Sequence, residues 1–123
     1  MHTTVGVVVI VEDDAAMRKS IERLLRASNY STIAFSSAEE FLQSVMADTA
    51  FAVVLDIHLG GMSGIELRSR LSAAGSKLPI VFMTAYDDEA TRVQALAVGC
   101  VDYLQKPFEP NRLIEALQRC ANI

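Results

Sequence analysis

A chain of 123 residues has the size of one domain with a full hydrophobic core, and is too short for two. Hydrophobic residues make up 51%, with only six glycines and three prolines, which excludes disorder and low complexity. The net charge of -4 excludes a general nucleic-acid surface, and the strongest apolar stretch, residues 5–11, is too short to cross a bilayer and lacks the basic flank of a signal peptide.

Short apolar runs alternate with amphipathic segments along the chain. Residues 5–11, VGVVVIV, read as a buried strand. Met17, Ile21, Leu24 and Leu25 then mark one face of a helix whose other faces carry Arg18, Lys19, Glu22, Arg23 and Arg26. Residues 31–35 form a weaker, edge-like strand. Ser37 and Glu40 have capping-box spacing, and Phe41, Leu42, Val45 and Met46 continue the helix they open. Residues 51–55 are a third strand, and Ser63 and Glu66 repeat the capping pattern before a helix through Leu67 and Leu71.

Pro79 opens the fourth strand, 79–83, where no ladder donor is lost. Residues 88–98 form a helix stopped by Gly99 at a left-handed cap. A short strand over 101–104 ends before Lys106-Pro107. Pro110 suits a first helical turn, and Leu113, Ile114, Leu117 and Cys120 form the last apolar stripe. Cys100 and Cys120 have neither CxxC nor metal spacing and read as small buried side chains in a reducing cytosol.

The order βαβαβαβαβα with unbroken Val/Ile/Leu strands predicts an α/β fold: a five-stranded parallel sheet, doubly wound, with helices on both faces. Right-handed crossovers favour the flavodoxin-like (βα)5 order 2-1-3-4-5, which makes strands 1 and 3 neighbours at the switch point. Ligand-facing groups then lie at the carboxyl ends of the strands.

Those ends are polar. The first carries Glu12-Asp13-Asp14, the third Asp56, the fourth Thr84, and the fifth runs into Lys106. Adjacent backbones ~4.8 Å apart bring Asp13 and Asp56 within reach of one ion. Carboxylates this close repel, and a hard divalent cation, best magnesium, would compensate them together with Lys106. A carboxylate beside a metal can attack phosphorus to give an acyl phosphate, with Lys106 and the Thr84 hydroxyl binding the phosphoryl oxygens. Asp56, alone on the central strand, is the candidate nucleophile.

Taken singly, several of these residues have plainer explanations. Asp14 reads as a helix cap, Thr84 as an ordinary strand-end threonine, Lys106 as a solvated loop lysine, and His58, without a second histidine or cysteine, as a loop residue. Their joint placement on four strand ends is what points to a phosphoryl-transfer site.

VIVEDDAAMR, VVLDIHLGGMSG, FMTA and VDYLQKPF occur in this order across nearly the whole chain. In these four stretches the sequence resembles the receiver domain of two-component response regulators. SAEEFL, MTA and VDYLQKPFE bring it nearest to the FixJ type, whose members often carry a C-terminal DNA-binding helix-turn-helix. The resemblance implies that residues 1–123 are one receiver domain, a phosphorylation-driven signalling switch that hydrolyses its own phosphate slowly and is not a conventional enzyme.

It further implies that Asp56 takes a phosphoryl group from a sensor histidine kinase or a small donor such as acetyl phosphate. Glu12, Asp13, Asp56 and the His58 backbone carbonyl match the magnesium ligands. Thr84 and Tyr103 match the switch pair, Lys106 the phosphate-binding lysine, and Pro107 a proline that follows a cis peptide bond. The output surface would lie on the fourth helix, fifth strand and fifth helix, around residues 91–95 and 101–105, with homodimerisation there as one result of phosphorylation. The first helix, through Arg18, Lys19 and Arg23, would help dock the kinase, although a solvated charged face explains any one of those residues as well. A cytoplasmic location follows, with neither membrane nor direct nucleic-acid contact by this domain.

Three positions depart from the family pattern. Glu12 replaces the usual aspartate, so its longer arm should reach an ion differently, or only through water. Gly60 replaces the proline after Leu59, and Gly60-Gly61 should loosen the loop. His58 and Tyr86, each two residues beyond a site residue, occupy positions that tune phosphoryl lifetime, and their bulk should hinder the attacking water. The competing expectations are a free-standing receiver without an effector and a pseudo-receiver that is never phosphorylated. An aspartyl phosphatase of the haloacid dehalogenase type would need a DxDx[TV] motif on the first strand, and a flavodoxin would need phosphate-binding donors where this chain has acids.

Overall fold

The computed structural model describes residues 6–44 and 49–121. The chain alternates strand and helix: β1 (Val7–Val11), α1 (Ala15–Ala27), β2 (Ser31–Phe35), α2 (Ala38–Leu42), β3 (Ala52–Asp56), α3 (Gly64–Ala73), β4 (Ile80–Thr84), α4 (Glu89–Val98), β5 (Asp102–Gln105) and α5 (Pro110–Cys120). All strand pairs are parallel, in the order β2-β1-β3-β4-β5, so the flavodoxin-like sheet expected from the sequence is the one observed.

Pleating sends alternate side chains to opposite faces. Val8, Ile10, Ala52, Val54, Val81 and Met83 pack with Ile21 and Leu25 of α1 and Leu113 and Leu117 of α5. Val9, Val11, Val53, Leu55, Ile80 and Phe82 pack with Phe41 of α2, Leu67 of α3 and Ala95 of α4. Both faces of the central strands are therefore dry, which is why they lack the polar alternation of a half-exposed sheet.

Caps set the helix starts. Asp14 accepts from the Met17 amide, Ser37 from Glu40, Ser63 from Glu66 and Asp88 from Thr91. The two expected capping boxes close only halfway: Glu40 turns back to the amide of Ser36 rather than Ser37, and Glu66 pairs with Arg70 instead. Gly99 caps α4 with a positive φ of 92°, the side that favours glycine as expected, although its ψ of 128° lies outside the left-handed helical well.

Strands β3, β4 and β5 end one residue later than apolarity indicated, at Asp56, Thr84 and Gln105. Ladder hydrogen bonding continues past the last apolar side chain: the amides of Ile57 and Lys106 donate to the carbonyls of Met83 and Thr84, at 2.9 and 2.8 Å. Val5, expected in the first strand, and Val45 and Met46, expected in the second helix, lie outside the described residues. Among the described residues no helix is long and apolar enough to cross a membrane.

Candidate functional site

The sheet register assembles the polar strand ends. Val11 pairs with Leu55, and Asp56 with Met83, so Glu12 and Asp56 stand side by side one step beyond the apolar core, with the core residue Met83 next to Asp56. Glu12 and Asp56 continue the alternation of Ile10 and Val54, and Lys106 that of Leu104, toward the α1–α5 side. Thr84 continues the alternation of Phe82 on the other side, and Tyr103 packs there as well.

Lys106 bridges the two buried acids. Its Nζ donates to Asp56 Oδ2 at 3.0 Å and makes a short hydrogen bond to Glu12 Oε1. The side chains of Glu12 and Asp56 are only 1% and 6% exposed, so water contributes little to their charge balance. Carboxylate oxygens of Glu12, Asp13 and Asp56 lie within 4.8 Å of one another. Three acids against one ammonium leave a local charge near -2.

The titration of these groups reflects that crowding. Burial first, and then hydrogen bonding and repulsion from Asp56, push the Glu12 carboxyl above its ordinary range, against the pull of Lys106. Burial alone would lower Lys106, but the hydrogen bonds and charges of Glu12 and Asp56 outweigh it and hold the ammonium above its usual value. The donor set is hard oxygen, clustered and undercompensated, which fits a small divalent cation better than a soft metal.

The remaining predicted residues surround this centre. The His58 amide donates to Asp56 Oδ1 at 3.1 Å and fixes the second carboxylate oxygen. Thr84 is buried, and its hydroxyl is engaged with the backbone of Tyr86, accepting from the amide at 3.0 Å and donating to the carbonyl at 3.2 Å. The His58 and Tyr86 rings meet edge to face, 5.1 Å between centroids, although Tyr86 is 66% exposed. The Lys106–Pro107 peptide bond is cis.

Tyr103 is half-buried, and its hydroxyl donates to Asp87 Oδ1 at 3.2 Å. Arg92 pairs with the same carboxylate and stacks over the Tyr103 ring at 5.8 Å. Sequence reading did not find this Asp87–Arg92 clamp, because nothing in the spacing of the three residues announces that a strand and a loop will meet. Arg18, expected only to dock a kinase or face solvent, donates from its guanidinium to the Glu12 carbonyl at 2.8 Å and so ties α1 to the acidic end of β1. Lys19 and Arg23 are exposed.

The loop after β3 has an outside tether. Gly61 has φ +80°, and a Cβ there would stand 2.6 Å from Glu39 Oε2. That oxygen accepts from the Met62 amide at 3.0 Å, so α2 straps the loop despite its two glycines. A Cβ on Gly64 would collide with the Asp56 carbonyl, and glycine there lets α3 start hard against the site.

The Met62 hydrogen bond holds Glu39 below the ordinary glutamate range. The folded loop therefore favours ionised Glu39: its contribution is full above the unfolded value of 4.5 and is lost as pH falls through the lower folded one. Glu39→Ala should lower the protection of the Met62 amide against hydrogen exchange several-fold at neutral pH, and acidification should lower the same protection, taken relative to the intrinsic rate at each pH, in the unsubstituted chain. Equal exchange in both proteins would remove the strap.

Comparison with known proteins places these residues in context. The model of the response regulator receiver domain matches residues 8–118. Nodulation protein W of Bradyrhizobium diazoefficiens is 39% identical over 115 residues, covering 94% of this chain and 51% of that protein. Transcriptional regulatory protein FixJ of the same organism is 38% identical over 116 residues, covering 94% of this chain and 57% of FixJ. The chain thus spans about half the length of these relatives. The crystal structure of full-length FixJ from B. japonicum superposes with a TM-score of 0.88 at 37% identity, over 98% of this chain and 59% of that one. That of FixJ-N gives 0.87 at 32%, over 99% and 96%.

Proposed function

The chain belongs to the response regulator receiver domain family of two-component signalling, and on that premise we propose that it is switched by phosphorylation of Asp56. Residues 1–123 act in this reading as one receiver domain in the cytoplasm, with a sensor histidine kinase as partner. The observation that carries it is Lys106 held between two buried carboxylates at the carboxyl edge of the sheet.

An Asp56 oxygen attacks phosphorus. The new O–P bond forms as the bond to the donor, a phosphohistidine nitrogen or the acetyl oxygen of acetyl phosphate, breaks and its electron pair leaves with the donor. Lys106, already placed 3.0 Å from Asp56, pairs with the charge that arrives on the phosphoryl oxygens. Magnesium, held by Glu12, Asp13, Asp56 and the His58 carbonyl, would neutralise the remaining negative charge. Incubation with acetyl phosphate and magnesium should add one phosphoryl mass to the chain; no added mass would leave an unphosphorylated interaction module.

The readout follows from hydroxyl exchange. To bind a phosphoryl oxygen, Thr84 must give up the Tyr86 carbonyl, which moves the loop that carries Asp87. Asp87 holds Tyr103, so the phosphate would bias two arrangements of Tyr103 and of the α4-β5-α5 face. On that face Val93 and Leu96 of α4 are 58% and 60% exposed, which supports an apolar contact there, a homodimer among the candidates. The relatives' transcriptional name and their extra length support a DNA-binding effector joined to this domain in the whole protein.

The paired rings of His58 and Tyr86 flank the path of an attacking water. His58→Ala and Tyr86→Ala should each shorten the phosphoryl half-life several-fold, followed by loss of the added mass after the donor is removed. Unchanged decay in both would take the rings out of the mechanism.

A further inference from the structure

At the acidic end of β1 the chain turns into α1 through Asp13, the exposed member of the carboxylate cluster, with Glu12 and Asp56 buried beside it. Both peptide planes that flank Asp13 are held by a side chain. The Arg18 guanidinium donates to the Glu12 carbonyl at 2.8 Å, and the Asp14 amide donates to Glu12 Oε2 at 3.3 Å. Further out, the Glu12 amide donates to the Phe35 carbonyl at 3.1 Å, and Asp14 accepts from the Met17 amide at 3.0 Å.

These contacts leave Asp13 little freedom. A residue has two soft backbone dihedrals, so orienting the planes on either side of it sets both, and with them the direction of its side chain. The two holds are not equivalent. One comes from the Glu12 carboxylate, which also accepts from Lys106 and is itself a candidate ligand. The other comes from Arg18, in the first turns of α1, and uses no carboxylate of the cluster. The Arg18 amide donates to the Asp14 carbonyl at 2.9 Å, so the guanidinium is anchored in regular helix.

We propose that Arg18 is a positioning residue for the cation site: through the Glu12 carbonyl it presets the Asp13 carboxylate beside those of Glu12 and Asp56 before any cation is bound. The inference rests on the phosphorylation reading above and deepens it, since α1 then helps to assemble the site as well as to dock a partner. Charge and position predict opposite signs here. Deleting a positive charge near an anionic site strengthens cation binding, whereas freeing one of the ligands weakens it.

The test is a magnesium chloride titration of the full chain at constant ionic strength, followed by amide NMR at Asp13 and Asp14. Arg18→Met keeps the aliphatic stem and loses the donor. Its Kd for magnesium should rise about tenfold, the low end for a group that orients a ligand from outside the coordination shell. Lys19→Met removes the same charge from the next position, which is exposed, and should leave Kd within about twofold of the original or tighter. Without magnesium, the order parameter of the Asp13 N–H should fall in Arg18→Met alone. A merely structural role would lower the unfolding temperature and leave Kd unchanged. An equal or tighter Kd in Arg18→Met, or an equal loss in both variants, would overturn the inference alone. No saturable binding by the unsubstituted chain would overturn the phosphorylation reading with it. If Arg18→Met does not fold, Arg18→Lys decides, because it keeps the charge: a Kd several-fold weaker supports the guanidinium bond, and an unchanged Kd overturns it.

Discussion

Asp56→Asn should take up no phosphoryl group from acetyl phosphate and magnesium under conditions in which the unsubstituted chain is labelled. The substitution keeps the shape of the side chain and its place at the end of β3, but an amide is not a nucleophile toward phosphorus. The fold should survive, because the change relieves charge and does not create it: two acids and one lysine remain, and the local charge falls in magnitude from about -2 to about -1. Thermal unfolding of the variant without magnesium at or above the temperature of the unsubstituted chain would show that lost labelling is chemical. Equal phosphoryl mass on both proteins would assign the chemistry to another residue.

Removing Lys106 should have the largest effect on stability. In Lys106→Met the carboxylates of Glu12 and Asp56 stay almost fully buried and lose the ammonium that both accept from. Breaking a buried pair by deleting one partner costs about 3–5 kcal/mol, because the other charges remain without compensation. For a domain of this size that is a fall in Tm of roughly 10 °C or more. Magnesium should reverse part of it by mass action, by about 2.7 kcal/mol when present at a hundred times its Kd.

The diagnostic quantity is the difference in magnesium response. A cation competes with Lys106 for the same carboxylates, so magnesium should raise the Tm of Lys106→Met by more than it raises that of the unsubstituted chain. A Tm within a degree or two of the original, or an equal magnesium shift in both proteins, would mean that Lys106 does not balance these acids. Calcium serves as the control for a hard cation of different size.

The amino-acid sequence alone determined the element order, the parallel sheet and its topology, because unbroken apolar strands alternating with amphipathic helices admit few other arrangements. It also placed the acids, Thr84 and Lys106 at strand ends, and marked Asp14, Ser37 and Ser63 as helix caps, since capping acts over two or three residues. Strand ends were displaced by one residue for a related reason: apolarity records burial, whereas the ladder continues through polar residues such as Asp56 and Thr84.

Only the tertiary structure decided which polar groups meet. Lys106 is 94 residues from Glu12 and 50 from Asp56, and sheet register brings all three together. Tyr103 and Asp87 are 16 apart, Glu39 and Met62 23, and Arg68 and Gly99 31, with no periodicity to announce any of these contacts. Local preferences reach along a few residues of chain. Contacts between separate elements are set by packing and register, and both the charge balance at the acidic end and the Arg68–Gly99 hydrogen bond at the other arise there.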